Sequence, residues 1–447
     1  MNSERRIMNA EFYKSILNYL NSVVIIVFIF LSVSLKAQSV DSLISEALIN
    51  NSQLKSLRYK ITSAEYGAKA ADNLPAPSFG IEFSQIPVNK TNIWDDAVSQ
   101  NFSISQMFPL GGKISAMTEM KKKNISVQSS GYEDYKTKLI AEIKMSYYSL
   151  WLFDRKIEVQ NQNINLLNGL LKSMEIMYSV NKTTQADLLM LKSEIAAKES
   201  ELIVLNNNRD GEIYKLNKLL GRDINSKNIV VSSMIERNQN LDIKQLEEFL
   251  IENNPSIKKM ESMIEMNKSE AVANEKELVP DLMIQGMIMR MPQGMLLTSK
   301  SFSQMMPQAK TEWMYGLMAS ITLPFAPWSS NSITSRTDEL NAQTNALENE
   351  KEEMTRDMIL ELRQAVVKLK NANELNEIYP GKIIPLYKNT VDAQISAYQN
   401  NLTNINSVLE ATRMLLMQEM NHFMAQADYQ MALAEIEMMI GQQLKNF

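Results

Sequence analysis

The chain has no cysteine and a single histidine, His422, in 447 residues. Thiolate nucleophiles, disulfides and Cys/His zinc sites are thereby excluded, and an imidazole-based triad would rest on that one residue. Glycine (13) and proline (12) are both scarce. A compact α/β enzyme of this length needs more of each for its turns, so the composition points to long helices and few loops. Charge of one sign is lacking too. The net charge is −5 with no dense basic stripe, which argues against a nucleic-acid partner. After residue 37 no stretch approaches ~18 consecutive apolar residues, so no later helix is expected to span a bilayer.

What is present begins with an export signal, expected over residues 1–37. A mildly basic start (Arg5, Arg6, Lys14) precedes an apolar run from Val23 to Leu35, then Lys36-Ala37-Gln38. The run is short for a membrane span and ends at a small residue suited to cleavage; the alternative is an N-terminal anchor helix. With no Cys after it, a lipoprotein-type acyl anchor is not expected.

The remainder is written twice. Leu48 to Ser52 matches Ile251 to Pro255 at an offset of 203, which also carries Leu54 onto Ile257, Ala68 onto Ala271 and Pro77 onto Pro280. Phe102 to Pro109 faces Leu317 to Pro324 at offset 215. At offset 220, Tyr178, Asn181, Thr183, Leu189 and Gly221 fall on Tyr398, Asn401, Thr403, Leu409 and Gly441. The expected division is 38–235 for the first structural repeat and 236–447 for the second.

Each repeat reads helix, strand, loop, strand, long helix, turn, long helix. Phe79, Ile81 and Phe83 alternate with Gly80, Glu82 and Ser84, a strand period. Phe102, Ile104, Gln106 and Phe108 form the partner strand, and the second repeat answers with Leu282, Ile284 and Leu317 to Leu323. Then the period changes: Ile143, Leu150, Ile157, Ile164 and Leu171 recur at sevens, with Ser146, Phe153, Gln160, Leu167 and Met174 three places later. That is a coiled-coil seam on a helix expected from Lys113 to Tyr178, roughly 100 Å long at 1.5 Å per residue. Its return partner is expected from Thr184 to Gly221. Leu340, Leu347 and Met354 open the equivalent helix, which Pro385 is expected to kink.

Two strand pairs cannot close a membrane barrel, since the smallest use about eight strands, and open edges are not tolerated in lipid. Neighbouring chains must complete the barrel, or the strands lie outside a membrane. Trp94, Trp313 and Trp328 sit at or beyond strand ends, where an aromatic girdle would lie.

The element order, the duplication, the strand exit Phe108-Pro109-Leu110-Gly111-Gly112-Lys113 and the two hairpin segments starting at Tyr178 and Tyr398 together resemble the TolC family of outer-membrane efflux proteins. The likeness covers about residues 40 to 445. It implies a mainly α fold with membrane β: coiled-coil hairpins plus four strands per chain, pooled by a homotrimer into a twelve-stranded β-barrel in outer-membrane lipid. It also implies a periplasmic helical tunnel that docks on a periplasmic adaptor (membrane-fusion) protein and an inner-membrane pump, with no cofactor.

By the same resemblance, Tyr178, Asn181, Thr183, Tyr398, Asn401 and Thr403 mark the adaptor-docking hairpin tips. Asn181 and Asn401 stand where the family usually has Gly, and Asn is the next-best residue for a left-handed helix end. Asp187 and Tyr398 fall on positions that hold the tunnel closed, while an assisting Arg is replaced by Thr403. Of two acidic positions at the narrow entrance, one holds Ser407 and the other Glu410. A ring of three Glu410 carboxylates would favour cations.

Methionine is over-represented at 31 residues. One group includes Met287, Met289, Met291, Met295, Met305 and Met306. Another (Met417, Met424, Met431 and Met438) recurs every seven residues on the last helix. Two readings stay open: thioethers passing copper(I) or silver(I) ions, for which they are soft ligands, or flexible fillers of apolar helix and lipid-facing strand surfaces. No catalytic constellation emerges, and the Gly111-Gly112 pair lacks a phosphate-loop pattern. A passive duct is therefore expected, for metal, drug or protein cargo. Its rival is an exported soluble coiled-coil scaffold or adaptor.

Overall fold

The computed structural model describes residues 38–444 apart from 87, 89–90, 95, 227–228, 232–240 and 292–310. The expected signal at 1–37, the division at 235/236, and Met295, Met305 and Met306 lie outside the described residues.

Each repeat opens with two helices where the sequence suggested one. In the first they are α1 (Val40–Asn50) and α2 (Ser52–Ala71); in the second, α5 (Ile243–Asn253) and α6 (Pro255–Glu275). Asn51 and Asn254 make the break. Each side-chain oxygen accepts two backbone N–H groups of the following helix, the orphan donors that a helix start leaves unsatisfied. Each amide nitrogen then donates across the fold to the end of that repeat's last helix, Asn51 to the Leu219 carbonyl at 2.9 Å and Asn254 to that of Met439 at 2.8 Å. A joint of this kind interrupts the helix without disturbing its apolar period, which is why the sequence reads as continuous.

Four strands follow the same scheme: β1 (Ser78–Ser84) and β2 (Ser99–Pro109), then β3 (Asp281–Met291) and β4 (Glu312–Ile321). The two pairs are not separate. β2 pairs with β3 from Gln100↔Arg290 to Pro109↔Asp281, giving one antiparallel sheet in the order β1-β2-β3-β4 with both repeats in it. At the sheet's exit Gly111 and Gly112 take left-handed backbone (φ 65° and 78°), and a Cβ on Gly111 would lie 2.6 Å from Val279. The buried Lys113 ammonium, at the start of the next helix, pairs with Asp281 at 2.8 Å and Glu277 at 3.3 Å. The Pro-Leu-Gly-Gly-Lys motif thus turns the chain and ties the first hairpin to the second strand pair.

The first hairpin is α3 (Lys113–Ser179), 67 residues, and α4 (Gln185–Leu220). At 1.5 Å per residue α3 is about 100 Å long. The heptad seam is the packed face: Ile143, Leu150, Ile164, Leu167 and Met174 are buried, and buried Gln160 donates to the Lys198 carbonyl at 2.8 Å across the hairpin. The second hairpin is α7 (Pro327–Ile378), α8 (Ile384–Gln399) and α9 (Ile405–Ile440). The interruption is a π-helical turn over Tyr379–Ile383, which contains Pro380, and Pro385 falls in the first turn of α8. The helix expected to be disturbed at Pro385 is thus interrupted from six residues earlier, at Tyr379. Pro380 lacks an N–H, so the regular ladder cannot run through it.

The core records the duplication. Leu43, Leu54, Leu216 and Leu220 occupy the first repeat's cluster, and their counterparts Leu246, Ile257, Ile436 and Ile440 occupy the second's. A third cluster belongs to both: Leu167, Met174, Leu188 and Leu191 pack with Tyr398, Ile405, Val408 and Leu409 at the hairpin ends.

Candidate functional site

Register fixes which side chains share a face of the sheet. Phe79 pairs with Ile104, Ile104 with Gly286 and Gly286 with Leu317; Ile81 pairs with Phe102, Phe102 with Ile288 and Ile288 with Tyr315. In these two rows the face is apolar and aromatic from edge to edge, and it is open: Tyr315 is 92% and Leu317 80% exposed. The row at its loop end, Phe83, Gln100, Arg290 and Trp313, is polar at the centre, where Arg290 donates to Gln100 at 2.9 Å. The opposite face carries Ser78, Gly80, Glu82, Asn101, Ser103 and Ser105 on β1 and β2. On β3 and β4 it carries Met283, Gln285, Met287, Met289, Met291, Met314 and Met318. The sheet is thus two-sided, with β1 and β4 as unpaired edges. Trp313 lies on the apolar face at the loop end of β4, and Trp94 stands edge-on to Phe83 at 4.8 Å. Trp328 is at the opposite end, in the first turn of α7, and exposed.

At the far end of the hairpins the two tips match in detail. Asn181 and Asn401 both take left-handed backbone, at φ 58° and 56°, the conformation expected of them. Asn181 N donates to Tyr178 O and Lys182 N to Met177 O; Asn401 N donates to Tyr398 O and Leu402 N to Ala397 O. These bonds close the orphan carbonyls of each helix end. The return helices start on Thr184, in a capping box with Asp187, and on Asn404, which accepts from Ser407 N. Thr403 is half-buried beside the turn.

The tips differ in their tyrosines. Tyr178 is 45% exposed; Tyr398 is 6% exposed. The Tyr398 and Thr183 hydroxyls are 2.7 Å apart, and Thr183 also donates to Asp187 Oδ2 at 3.1 Å. Since the Thr183 hydroxyl donates its hydrogen bond to Asp187, it accepts one from Tyr398. Burial above all, and the nearby Asp187 charge, push the Tyr398 phenol above its ordinary range. Asp187, Thr183 and Tyr398 therefore form one chain of bonds between the two repeats.

About ten residues along α4 lies a second tie that sequence reasoning missed. Arg413 grips Glu194 through two bonds, Nε at 3.0 Å and a terminal nitrogen at 2.5 Å. Glu194 is buried, and the Arg413 hydrogen bond holds its carboxyl below the ordinary range, against the upward pull of burial. Glu410 is exposed and only 3.7 Å from Arg413. Only the contact of two distant helices reveals the Glu194–Arg413 tie.

A family model described as outer membrane efflux protein matches residues 43–222 and again 248–442. Among solved structures, the CusC channel, described for its conformational changes on folding and transmembrane channel formation, aligns with a TM-score of 0.73. It is 15% identical and covers 91% of this chain and 93% of its own. The Campylobacter jejuni CmeC outer membrane channel aligns at 0.72, with 14% identity and 91% and 87% coverage. The Vibrio cholerae outer membrane protein VceC aligns at 0.71, with 14% identity and 91% and 97% coverage. At such identities the likeness is one of fold. No curated protein matches the chain.

Proposed function

Because this chain belongs to the outer membrane efflux protein family, we propose that it is the passive outer-membrane duct of a tripartite efflux system. The observation that carries this reading is the two-sided sheet. A face lined by Phe79, Ile104, Leu317 and Tyr315 suits hydrocarbon, and a face of Ser, Asn, Gln and Met suits an aqueous lumen. Strands β2, β3 and β4 have 11, 11 and 10 residues, the length a tilted strand needs to cross a bilayer. No described helix is long and apolar enough to do so. Four strands cannot close, so β1 of one protomer pairs with β4 of the next. A homotrimer gives twelve strands and no free edge in lipid.

The helical hairpins then extend the barrel through the periplasm. Their tips, with exposed Val180, Tyr178 and Leu402 beside Asn181 and Asn401, form the docking surface for a periplasmic adaptor, which couples the duct to an inner-membrane pump. The Asp187–Thr183–Tyr398 chain holds the lower entrance closed, and Glu410 adds negative charge there. Heavy-metal ions, copper(I) or silver(I), are the cargo class that the thioethers favour over hard cations.

Membrane fractionation of a Gram-negative host tests the reading. A trimer-sized, heat-sensitive band from the outer membrane on an unheated gel supports it. A monomer in the soluble periplasm contradicts it and favours an exported coiled-coil scaffold, a reading that leaves the exposed apolar face of the sheet without a purpose.

A further inference from the structure

The methionines of the sheet all fall on one side. Residues on a strand alternate between faces, and the odd-numbered positions of β3 hold Met283, Met287, Met289 and Met291 with Asp281 and Gln285, while the even-numbered ones hold Leu282, Ile284, Gly286 and Ile288, with Arg290 at the loop end. On β4 the same division puts Met314 and Met318 with the β3 methionines and puts Tyr315 and Leu317 opposite. Met107 continues the row onto β2 as the direct partner of Met283. The aliphatic and aromatic residues thus take one face and the thioethers the other, although both are apolar by composition.

Packing does not account for this. Met is useful as a filler where neighbouring groups leave irregular gaps, as on α9, where Met439 is buried and Met431 and Met438 are half-buried. The sheet methionines share their face with Ser103, Gln285 and Ser320, an open polar surface. They are also not on the side suited to lipid, which removes the lipid-facing alternative raised by the sequence. A run of Leu or Ser would satisfy the sheet equally well, so what distinguishes the face is sulfur.

We propose that the thioethers of Met287, Met289, Met314 and Met318 bind soft monovalent cations, copper(I) or silver(I), and hand them along the barrel lumen. The assignment rests on the duct reading above. Met289 and Met314 are directly opposite each other in the register, and opposed Cβ atoms stand about 5 Å apart, close enough for two flexible side chains to share one ion. Met287 faces Gly316, and a Cβ there would lie 3.0 Å from Met287 Cγ and 3.3 Å from its sulfur. The missing side chain lets Met287 lie across β4 towards its diagonal neighbours Met314 and Met318. Thioethers are neutral and soft, so they take copper(I) or silver(I) in preference to hard cations such as sodium or magnesium. They also release each ion to the next pair by ligand exchange, with no change of oxidation state. In a trimer the ladder is repeated three times around the lumen, with serine-rich walls from β1 and β2 between.

The test uses the assembled protein in detergent with its methionine ε-methyl groups carbon-13 labelled, titrated with silver(I) nitrate in chloride-free buffer. Saturable shifts confined to Met287, Met289, Met314 and Met318, unaffected by potassium or zinc nitrate, are expected. The variant M287L/M289L/M314L keeps volume and apolarity. It is expected to lose the Met318 shift while retaining the heat-sensitive oligomer and the potassium nitrate conductance of the parent. No silver shift at these residues, or shifts of equal size at the exposed Met417 and Met424 of α9, overturns the ladder and leaves the duct standing. Silver binding by a protein that does not conduct potassium nitrate overturns the duct, and the transit role with it.

Discussion

The Tyr398 hydroxyl donates to the Thr183 hydroxyl across 2.7 Å, joining residues 215 positions apart in sequence. Tyr398 ends the descending helix of the second hairpin, Thr183 lies in the turn of the first, and Asp187 accepts the last hydrogen bond of the chain. The two copies of the duplicated unit are locked at their tips by side chains that are not themselves duplicated in environment, since Tyr178 stays exposed.

Removing that lock should loosen the entrance. Tyr398→Phe keeps the buried ring and deletes the donor, a loss of about 1 kcal/mol for a neutral hydrogen bond. The reconstituted channel is expected to spend more time in its higher-conductance level, and Thr183→Val should give the same change. The double variant should add little to either. Additive effects in single-channel recordings would show that the two residues act separately.

The Glu194–Arg413 pair sets a pH dependence. A carboxyl held below its ordinary value of 4.5 stabilises the folded chain above that pH, and the contribution fades as pH falls through the lowered value. Glu194→Gln is therefore expected to cost about 1–2 kcal/mol at pH 7, a discounted figure because Arg413 is half exposed. The cost should shrink toward pH 3. Urea midpoints of parent and variant at the two pH values measure it, and an unchanged gap would refute the assignment.

The closing glycines should be equally intolerant. Gly221 and Gly441 both have φ of 72°, and a Cβ would stand 2.8 Å from the Asn50 carbonyl oxygen in one and 2.7 Å from that of Asn253 in the other. Alanine at either position is expected to destabilise by roughly 1–3 kcal/mol. Matching losses of thermal stability for Gly221→Ala and Gly441→Ala are the result that the duplicated joint requires.

A charge test separates the two faces of the sheet. Leu317→Arg places a guanidinium in lipid, at about 2–4 kcal/mol near the midplane, and should deplete the chain from the outer membrane. Ser103→Lys, on the other face of the neighbouring pair, should be inserted normally. Equal depletion of the two variants in fractionated membranes would mean that the faces do not have the proposed roles.

How much of this was legible follows from how local each signal is. Thr184 and Gly221 bounded α4 correctly because capping is settled within a turn of the helix. The heptad seam and the strand alternation were legible for the same reason, as was the positive φ of Asn181 and Asn401. The Asn51 joint was hidden because one residue caps a helix without breaking its apolar period. Pro255 was the visible hint of its counterpart. The pairing of β2 with β3 was not legible, nor were the Glu194–Arg413 tie and the Thr183–Tyr398 bond. Each joins segments far apart in sequence, with no spacing rule linking them. The gate positions were reached through family resemblance alone, and the sidedness of the methionines needed the strand register.

The duct itself is tested most directly by electrical recording from purified, unheated protein in a planar bilayer. The account predicts discrete, uniform current steps that disappear when the sample is first heated to dissociate the oligomer. Protein that enters the bilayer as an intact oligomer and yet carries no current would contradict it.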